Sequence, residues 1–331
     1  MAIGWGIIGT GGFAGGAVAP AINALKTDGR LVAVVSRDRG RADAFAAQQG
    51  AERAYTAYDD LLRDASVHVI YISTPNAQHA EQAIAAARAG KHVLCEKPLA
   101  LTVPDARRVV EEFARAGLKL GTHFQTRHHT AFVETKRLLD ERAIGDVIMV
   151  QIEVSAGAAP LRGWRTDPSL AGLGAINNLA VHPYDLLRYL LGSEVREVVA
   201  LTNVGRTREL ERMVLALLRF QNGVLAYVNA NQNVPHYQPD IDIYGTAGRI
   251  VGLDCTRPFR DGELRVLTEA GERVTKHTSR DAVVRSVAAF NDAVAHDREP
   301  NPSGLDGLRN VQLTDAIIAS AREGRLVEVA Y

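Results

Sequence analysis

The sequence predicts two domains that both mix helix and strand but differ in kind. Residues 1–123 read as a doubly wound parallel sheet, and residues 124–331 as an open, mostly antiparallel sheet domain. Three observations carry this. A glycine-rich turn joins a strand to a helix at the very start of the chain. Strands and helices then alternate with short connections, the pattern of a parallel sheet covered on both faces. Past His123 the pattern changes to apolar–polar alternating stretches in series, which suit antiparallel strands with one covered face.

Each element has its own signal. Ile3 to Gly9 is an apolar strand, followed at once by Gly9-Thr10-Gly11-Gly12-Phe13-Ala14 and a helix through about Leu25. Gly9, Gly11 and Ala14 fit the G-x-G-x-x-G/A dinucleotide fingerprint of a Rossmann fold. In that pattern Gly9 permits the tight turn, Gly11 lets backbone approach a pyrophosphate, and Ala14 allows close helix–strand packing. The free N–H groups of Thr10, Gly12 and Phe13 at the helix start attract phosphate charge. A strand over Leu31–Val35 leads to a helix capped by Asp38 that stops near Gly50. A short helix covers Tyr58–Arg63, and the next strand covers Val67–Ile72. Asn76 is the expected cap of the helix that ends before Gly90. His92–Cys95 is a buried strand, Thr102-Val103-Pro104-Asp105 a capping box opening a helix to Gly117, and Leu118–Thr122 the last parallel strand.

In the second domain a helix is expected around Glu134–Arg142, and strands over Val147–Ser155, Val195–Asn203, Met213–Phe220, Val224–Asn231 and Asp240–Tyr244. Asn222-Gly223 reads as a hairpin turn with positive φ angles. Helices over Ala282–His296 and Leu305–Glu323 are expected to pack back on the first domain. An open sheet of this kind often uses its outer face between subunits, so a homodimer or homotetramer is expected.

Composition excludes several classes. Lysine plus arginine total 38 and aspartate plus glutamate 38, so no bulk charge calls for nucleic acid or an anionic membrane. Apolar content of 47% and charged content of 23% are ordinary for a soluble globular protein. No apolar run approaches the roughly 20 residues of a membrane helix. The apolar N-terminus lacks a basic lead-in and is broken by glycines, which argues against a signal peptide. Cys95 and Cys255 make neither a disulfide framework nor a metal cluster, so no metal is expected and the cytoplasm is the default location.

The residues that carry chemistry lie at strand ends and on one helix. Strands of a parallel sheet end at the edge where ligands bind. Glu96-Lys97-Pro98 therefore puts an ammonium at the mouth of a cofactor cleft, and Pro98 restricts the backbone of Lys97. Taken alone, Lys97 reads as well as a solvated strand-end lysine. Ser73-Thr74-Pro75-Asn76 lies at the same edge, with His79 one turn on, which also reads as a packed helix residue. The second strand ends in Ser36-Arg37, with Arg41 in the next helix, where an NAD site usually has an acid. A hydroxyl and guanidinium groups there suit a 2′-phosphate, so NADP(H) is preferred over NAD(H). The plainer reading leaves Arg37 and Arg41 solvated at a helix start. In the glycine-led segment 172–185, Asn178 and His182 share a helix face, and Asp185 follows. A lone histidine there is as often a satisfied core residue as an acid–base group.

Together the GTGGFA loop, STPNAQH turn, HVLCEKPLAL, GLGAINNLAVHPYDLLRYLLG, LRFQNGVLAYV and YGTAGRIVG resemble the glucose–fructose oxidoreductase, inositol dehydrogenase and rhizopine-catabolism (Gfo/Idh/MocA) family over essentially the whole chain. The resemblance implies that Lys97 sits beside the nicotinamide and the reacting carbonyl, and that His182 exchanges a proton with the reacting oxygen. It implies that Trp164 and Arg165 reach cofactor or substrate, Arg165 with Lys97, Asn178 and His182 toward the substrate. The family commonly has aspartate where this chain has Asn178, which removes a charge that would favour imidazolium. The expectation is an NADP-preferring oxidoreductase of a sugar, keto-sugar or polyol. The alternatives are an NAD-dependent sugar or inositol dehydrogenase and, in another class, a non-catalytic dinucleotide-binding regulator or scaffold.

Overall fold

The computed structural model describes residues 2–157, 161–203, 210–232, 234, 240–256 and 260–331. The chain forms two compact units: Met1–Phe124 with Val283–Val311, and Gln125–Ala282 with Gln312–Tyr331.

In the first unit six strands form one parallel sheet: β1 (Ile3–Ile8), β2 (Gly29–Val35), β3 (Arg53–Tyr55), β4 (Val69–Ile72), β5 (His92–Cys95) and β6 (Leu120–Thr122). Their order is β3-β2-β1-β4-β5-β6. The chain reverses direction across the sheet between β1 and β4, and ligands of doubly wound sheets bind at the strand ends beside such a reversal. All four residues of β4 are buried, as a strand covered on both faces requires. The sequence division at 123/124 left 283–311 in the second domain. They group with the first unit, in keeping with late helices that pack back on it: Val283, Val287 and Phe290 share one apolar cluster with Trp5, Ile7 and Leu94. Leu308 and Val311 share the cluster on the other face with Leu99, Ala106 and Leu120. Trp5 Nε1 donates to Asn291 Oδ1 at 3.0 Å, which fixes the helix Ala282–Ala295 against β1.

The second unit holds a nine-stranded sheet of β7 (Val147–Ser155), β8 (Val195–Thr202), β9 (Met213–Phe220), β10 (Leu225–Asn231), β11 (Asp240–Gly245), β12 (Gly248–Leu253), β13 (Asp261–Thr268), β14 (Gly271–Thr278) and β15 (Val327–Glu328). The order is β14-β13-β12-β11-β7-β10-β9-β8-β15, and β7 with β10 is the one parallel pair among the described strands of this sheet. One face, with Val150, Ile152, Ala216, Val228 and Ile243, is buried with Tyr184 and Leu187 of the helix Val181–Leu191. The opposite face leaves Val199, Leu201, Leu217 and Leu225 exposed.

Two local expectations need correction. Asn76 is the first residue of a 3-10 turn (Asn76–Gln78) and is buried, and the position before it belongs to Pro75, whose ring carries no atom that can accept a capping hydrogen bond. At the β9–β10 hairpin only Gly223 takes a positive φ, +90°. The Phe220 N–H reaches the Val224 carbonyl at 2.9 Å, so the loop has three residues with glycine at the left-handed position.

Candidate active site

The glycine loop follows from two different constraints. Gly9 has φ +99°, and a Cβ there would stand 2.3 Å from the Ser73 carbonyl oxygen, so only glycine fits between β1 and the turn after β4. Gly11 and Gly12 have no atom within 4 Å of an added Cβ. Their backbone borders open space, which is the cradle a dinucleotide pyrophosphate needs. The Gly15 N–H bonds the Gly11 carbonyl at 3.0 Å, so the helix starts at this point with Thr10, Gly11 and Gly12 at its mouth. Phe13 is half-buried and Ala14 fully buried. The first full turn, Ala14–Val18, is a π-turn, a form that recurs at functional sites.

The second strand end shows how its charges are used. Ser36 is buried, and its N–H bonds the Tyr55 carbonyl at 3.1 Å. Asp38 caps its own helix, accepting from the Arg41 N–H at 2.8 Å. The Arg41 side chain stays near that carboxylate, at 3.8 Å. Arg37 is exposed and has no ion-pair or hydrogen-bond partner among the described residues.

The turns after β4 and β5 are bolted together. His79 is 1% exposed, with Nδ1 at 2.7 Å from the Pro98 carbonyl and Nε2 at 3.0 Å from the Thr74 carbonyl. Both ring nitrogens are thus occupied by main chain, so His79 holds Ser73–Asn76 against Lys97-Pro98 and presents no group of its own. Burial lowers its pKa, against the pull of the two carbonyls. Thr74 Oγ1 donates to Gln82 Oε1 at 2.6 Å, and Ser73 N–H bonds the Ile8 carbonyl at 2.9 Å. Ser73, Thr74, Pro75 and Lys97 are half-buried at the carboxyl edge of the sheet.

Glu96 has partners that sequence reading missed. Tyr71 donates to Glu96 Oε1, and His123 Nδ1 lies 3.0 Å from the same oxygen. Burial pushes the Glu96 carboxyl up, but the His123 hydrogen bond, the His123 and Lys97 charges and the Tyr71 hydroxyl outweigh it and hold it at about 2. The signal was positional. Cys95 pairs with Thr122, so Glu96 and His123 leave adjacent strand ends.

In the second unit Asn178 and His182 lie on one glycine-led helical segment, the π-turn Ile176–Ala180 followed by the helix Val181–Leu191, and both are half-buried. Its start is fixed by Glu211, whose carboxylate accepts from the Ile176 N–H at 2.9 Å, while the Glu211 carbonyl accepts from the Ala175 N–H at 2.7 Å. A Cβ on Gly174 would stand 1.9 Å from that carbonyl, which explains the glycine. His182 Nδ1 lies 3.4 Å from Thr126 Oγ1. The next residue, Arg127, makes a buried bidentate pair with Asp185, Nε to Oδ2 at 2.8 Å and Nη2 to Oδ1 at 2.6 Å. Thr126 is thereby held one residue from an anchor on the helix of His182. Trp164 and Arg165 lie in the 3-10 turn Gly163–Thr166, with the guanidinium stacked 4.4 Å over the indole. Among the described residues no group of three acidic, histidine or cysteine side chains could hold a metal ion.

A dinucleotide-type glycine loop, a strand-end lysine and a second domain built on an open sheet define a nucleotide-dependent oxidoreductase. Residues 3–124 match the model of the oxidoreductase family with an NAD-binding Rossmann fold, and residues 132–251 match the GFO/IDH/MocA C-terminal domain. The chain is 32% identical over 328 residues to 1,5-anhydro-D-fructose reductase of Ensifer adhaerens, covering 98% of both chains. It is 30% identical over 331 residues to D-xylose 1-dehydrogenase (NADP(+)) 2 of Haloferax volcanii, covering 98% of this chain and 99% of that one. The structure of levoglucosan dehydrogenase in complex with NADH and levoglucosan superposes with a TM-score of 0.92 at 27% identity, over 100% of both chains. The chain belongs to the Gfo/Idh/MocA family of oxidoreductases.

Proposed function

We propose that this protein is an NADP-preferring oxidoreductase acting between the carbonyl and alcohol forms of a sugar, keto-sugar or polyol. The observation that supports it most is the carboxyl edge of the parallel sheet, where an open glycine cradle after β1 and half-buried Lys97 after β5 lie on either side of the end of β4. A bound nicotinamide supplies the hydride acceptor or donor at its C4. Lys97 donates a hydrogen bond to the reacting oxygen, where negative charge develops. His182 gives or takes the proton at that oxygen, with Asn178 orienting the substrate. Trp164 and Arg165 contribute to cofactor or substrate binding. The Gfo/Idh/MocA relatives named above act on sugars or sugar-like substrates by their names, which is why a carbohydrate is favoured here.

The NADP preference is supported by Arg37, exposed at the strand end where an NAD site carries an acid, and by the commitment of Asp38 to capping. NAD dependence is the second reading, favoured by the closeness of Arg41 to Asp38 and by the NADH complex of the levoglucosan enzyme. Thr10, Gly12, Phe13, Ser73, Thr74, Pro75, Asn76 and Glu96 would line the cofactor. A subunit contact through the exposed apolar face of the nine-stranded sheet is proposed, giving a homodimer or homotetramer in the cytoplasm, and the solution mass checks the assembly. Among the described residues no helix is long and apolar enough to cross a membrane.

The test is a panel of keto-sugars and polyols followed by NADPH and NADH absorbance, with Lys97→Ala beside the parent. Lys97→Ala should fold, bind cofactor within about tenfold and lose turnover by roughly 10² or more. Cofactor binding without turnover on any member of the panel would favour the regulator instead. Full turnover in Lys97→Ala would refute its role.

A further inference from the structure

Tyr71, Glu96 and His123 form a cluster to which the proposed reaction assigns no chemical step. They leave three neighbouring strands on one face, because Tyr71 pairs with Leu94, two residues before Glu96, and Leu94 pairs with Gly121, two residues before His123. The Tyr71 hydroxyl donates to Glu96 Oε1 and lies 2.8 Å from His123 Nδ1. With the tyrosine proton on the carboxylate, His123 reaches both neighbours by carrying a proton on Nδ1. Its Nε2 is buried without a hydrogen-bond partner among the described residues, and Phe13 of the glycine loop lies beside the ring, centroids 6.0 Å apart. Two proton donors from flanking strands therefore fix one carboxylate immediately before Lys97.

The other groups around this carboxylate leave it as the negative charge of the cluster. Tyr71 on β4 and Cys95 on β5 are pushed up in pKa by burial and by Glu96, so both stay neutral near neutral pH. His79, on the helix His79–Arg88, is lowered by burial. His123 follows β6 and pairs with Glu96 at 3.0 Å, and beside it the charge of Lys97 is also felt at Glu96. An opposite charge within several ångströms favours the ionised form of its neighbour.

We propose that Glu96 is a positioning residue for Lys97: a carboxylate pinned by Tyr71 and His123 that holds the lysine in its ammonium form and sets the alkaline limit of its action on the reacting oxygen. The role in turnover rests on the oxidoreductase reading, while the charge pairing does not. The first measurement therefore needs no substrate. Trace labelling with trinitrobenzenesulfonate across alkaline pH, read lysine by lysine by peptide mass spectrometry, gives the titration midpoint of Lys97 beside that of exposed Lys26. In Glu96→Gln the Lys97 midpoint should fall by about one pH unit while Lys26 stays put. In Tyr71→Phe, which keeps the carboxylate charge, it should move by less than about 0.3 unit. An unmoved midpoint in Glu96→Gln, or an equal fall in Tyr71→Phe, overturns the proposal. Should Glu96→Gln not fold, the parent decides: a Lys97 midpoint at or above that of Lys26 supports the pairing, and one more than about one unit below it overturns the pairing. On the best substrate of the panel, the alkaline limb of kcat/KM should fall with the labelling midpoint in Glu96→Gln. If the midpoint moves and the parent turns over no substrate, the pairing stands and the oxidoreductase reading fails. If the parent is active and the midpoint does not move, only this proposal fails.

Discussion

Gly9 and Gly11 are two residues apart in one motif, yet the structure assigns them opposite costs. Gly9→Ala puts a methyl 2.3 Å from the Ser73 carbonyl oxygen and 2.7 Å from its carbon, both main-chain atoms that cannot swing aside. The φ of +99° adds the penalty of a left-handed conformation, about 1–2 kcal/mol. Relieving the overlap must shift a turn whose Ser73 N–H is tied to Ile8, at roughly 1–3 kcal/mol more. The expected loss of stability is therefore about 2–5 kcal/mol. Gly11→Ala meets no atom within 4 Å and has no positive φ, so its stability should stay within about 0.5 kcal/mol of the parent. Its methyl instead occupies the space in which a pyrophosphate would approach the backbone. Affinity for NADPH should fall at least about tenfold, which is about 1.4 kcal/mol. Urea unfolding and a fluorescence titration with NADPH on both variants test the pair. A Gly11→Ala protein that binds like the parent would remove the loop from the cofactor site. A Gly9→Ala protein that unfolds like the parent would refute the steric account.

Three further outcomes are expected. Arg37→Ala should weaken NADPH binding by roughly 1.5–3 kcal/mol and leave NADH nearly unchanged, measured by titration with each cofactor. Equal affinity of the parent for both cofactors would count against the NADP preference. Asn178→Asp should raise the alkaline limb of reductive kcat/KM by about one pH unit, since a carboxylate one turn from His182 favours imidazolium. A raised KM with an unmoved limb would make Asn178 a substrate contact instead. Asp185→Asn should cost about 3–5 kcal/mol by urea unfolding, because it leaves the Arg127 guanidinium buried beside a neutral amide. A loss below about 1 kcal/mol would show that the pair contributes only as a surface bridge does.

What the sequence revealed of the fold depended on whether a segment's pattern was local. β7 and β9 run over the expected Val147–Ser155 and Met213–Phe220, because alternating burial writes itself into alternating residues. The parallel strands were legible as short apolar runs between turn residues, although β4 starts at Val69 and β6 at Leu120, two residues later than expected. β14 was missed for a physical reason. It is an edge strand with no buried residue, so Gly271–Thr278 carries no apolar alternation to read. β12 escaped differently: its Gly248 and Gly252 stand where a Cβ would meet neighbouring atoms, and glycines in a strand read as a loop.

The candidate site divides along the same line. Gly9, Gly11, Ser73 and Lys97 could be picked out because each stands at a strand end, and a strand end is visible from its own few residues. The groups that hold them could not be. Tyr71 and His123 are 52 residues apart, and Arg127 and Asp185 are 58 apart, so each pair exists only after the fold has set its neighbours. His79 shows why the distinction matters for function. From sequence it read either as one more cofactor-lining side chain beside the Ser-Thr-Pro-Asn turn or as a packed helix residue. In the fold its two nitrogens face the carbonyls of Thr74 and Pro98, from two different turns of the sheet edge. A carbonyl can only accept, and a neutral imidazole has one proton to give. One of the two contacts is therefore a hydrogen bond and the other a close approach, unless the ring is charged, which burial opposes. The residues that would meet the cofactor are thus set by local sequence, whereas their spacing is set by a buried ring whose two nitrogens face main chain.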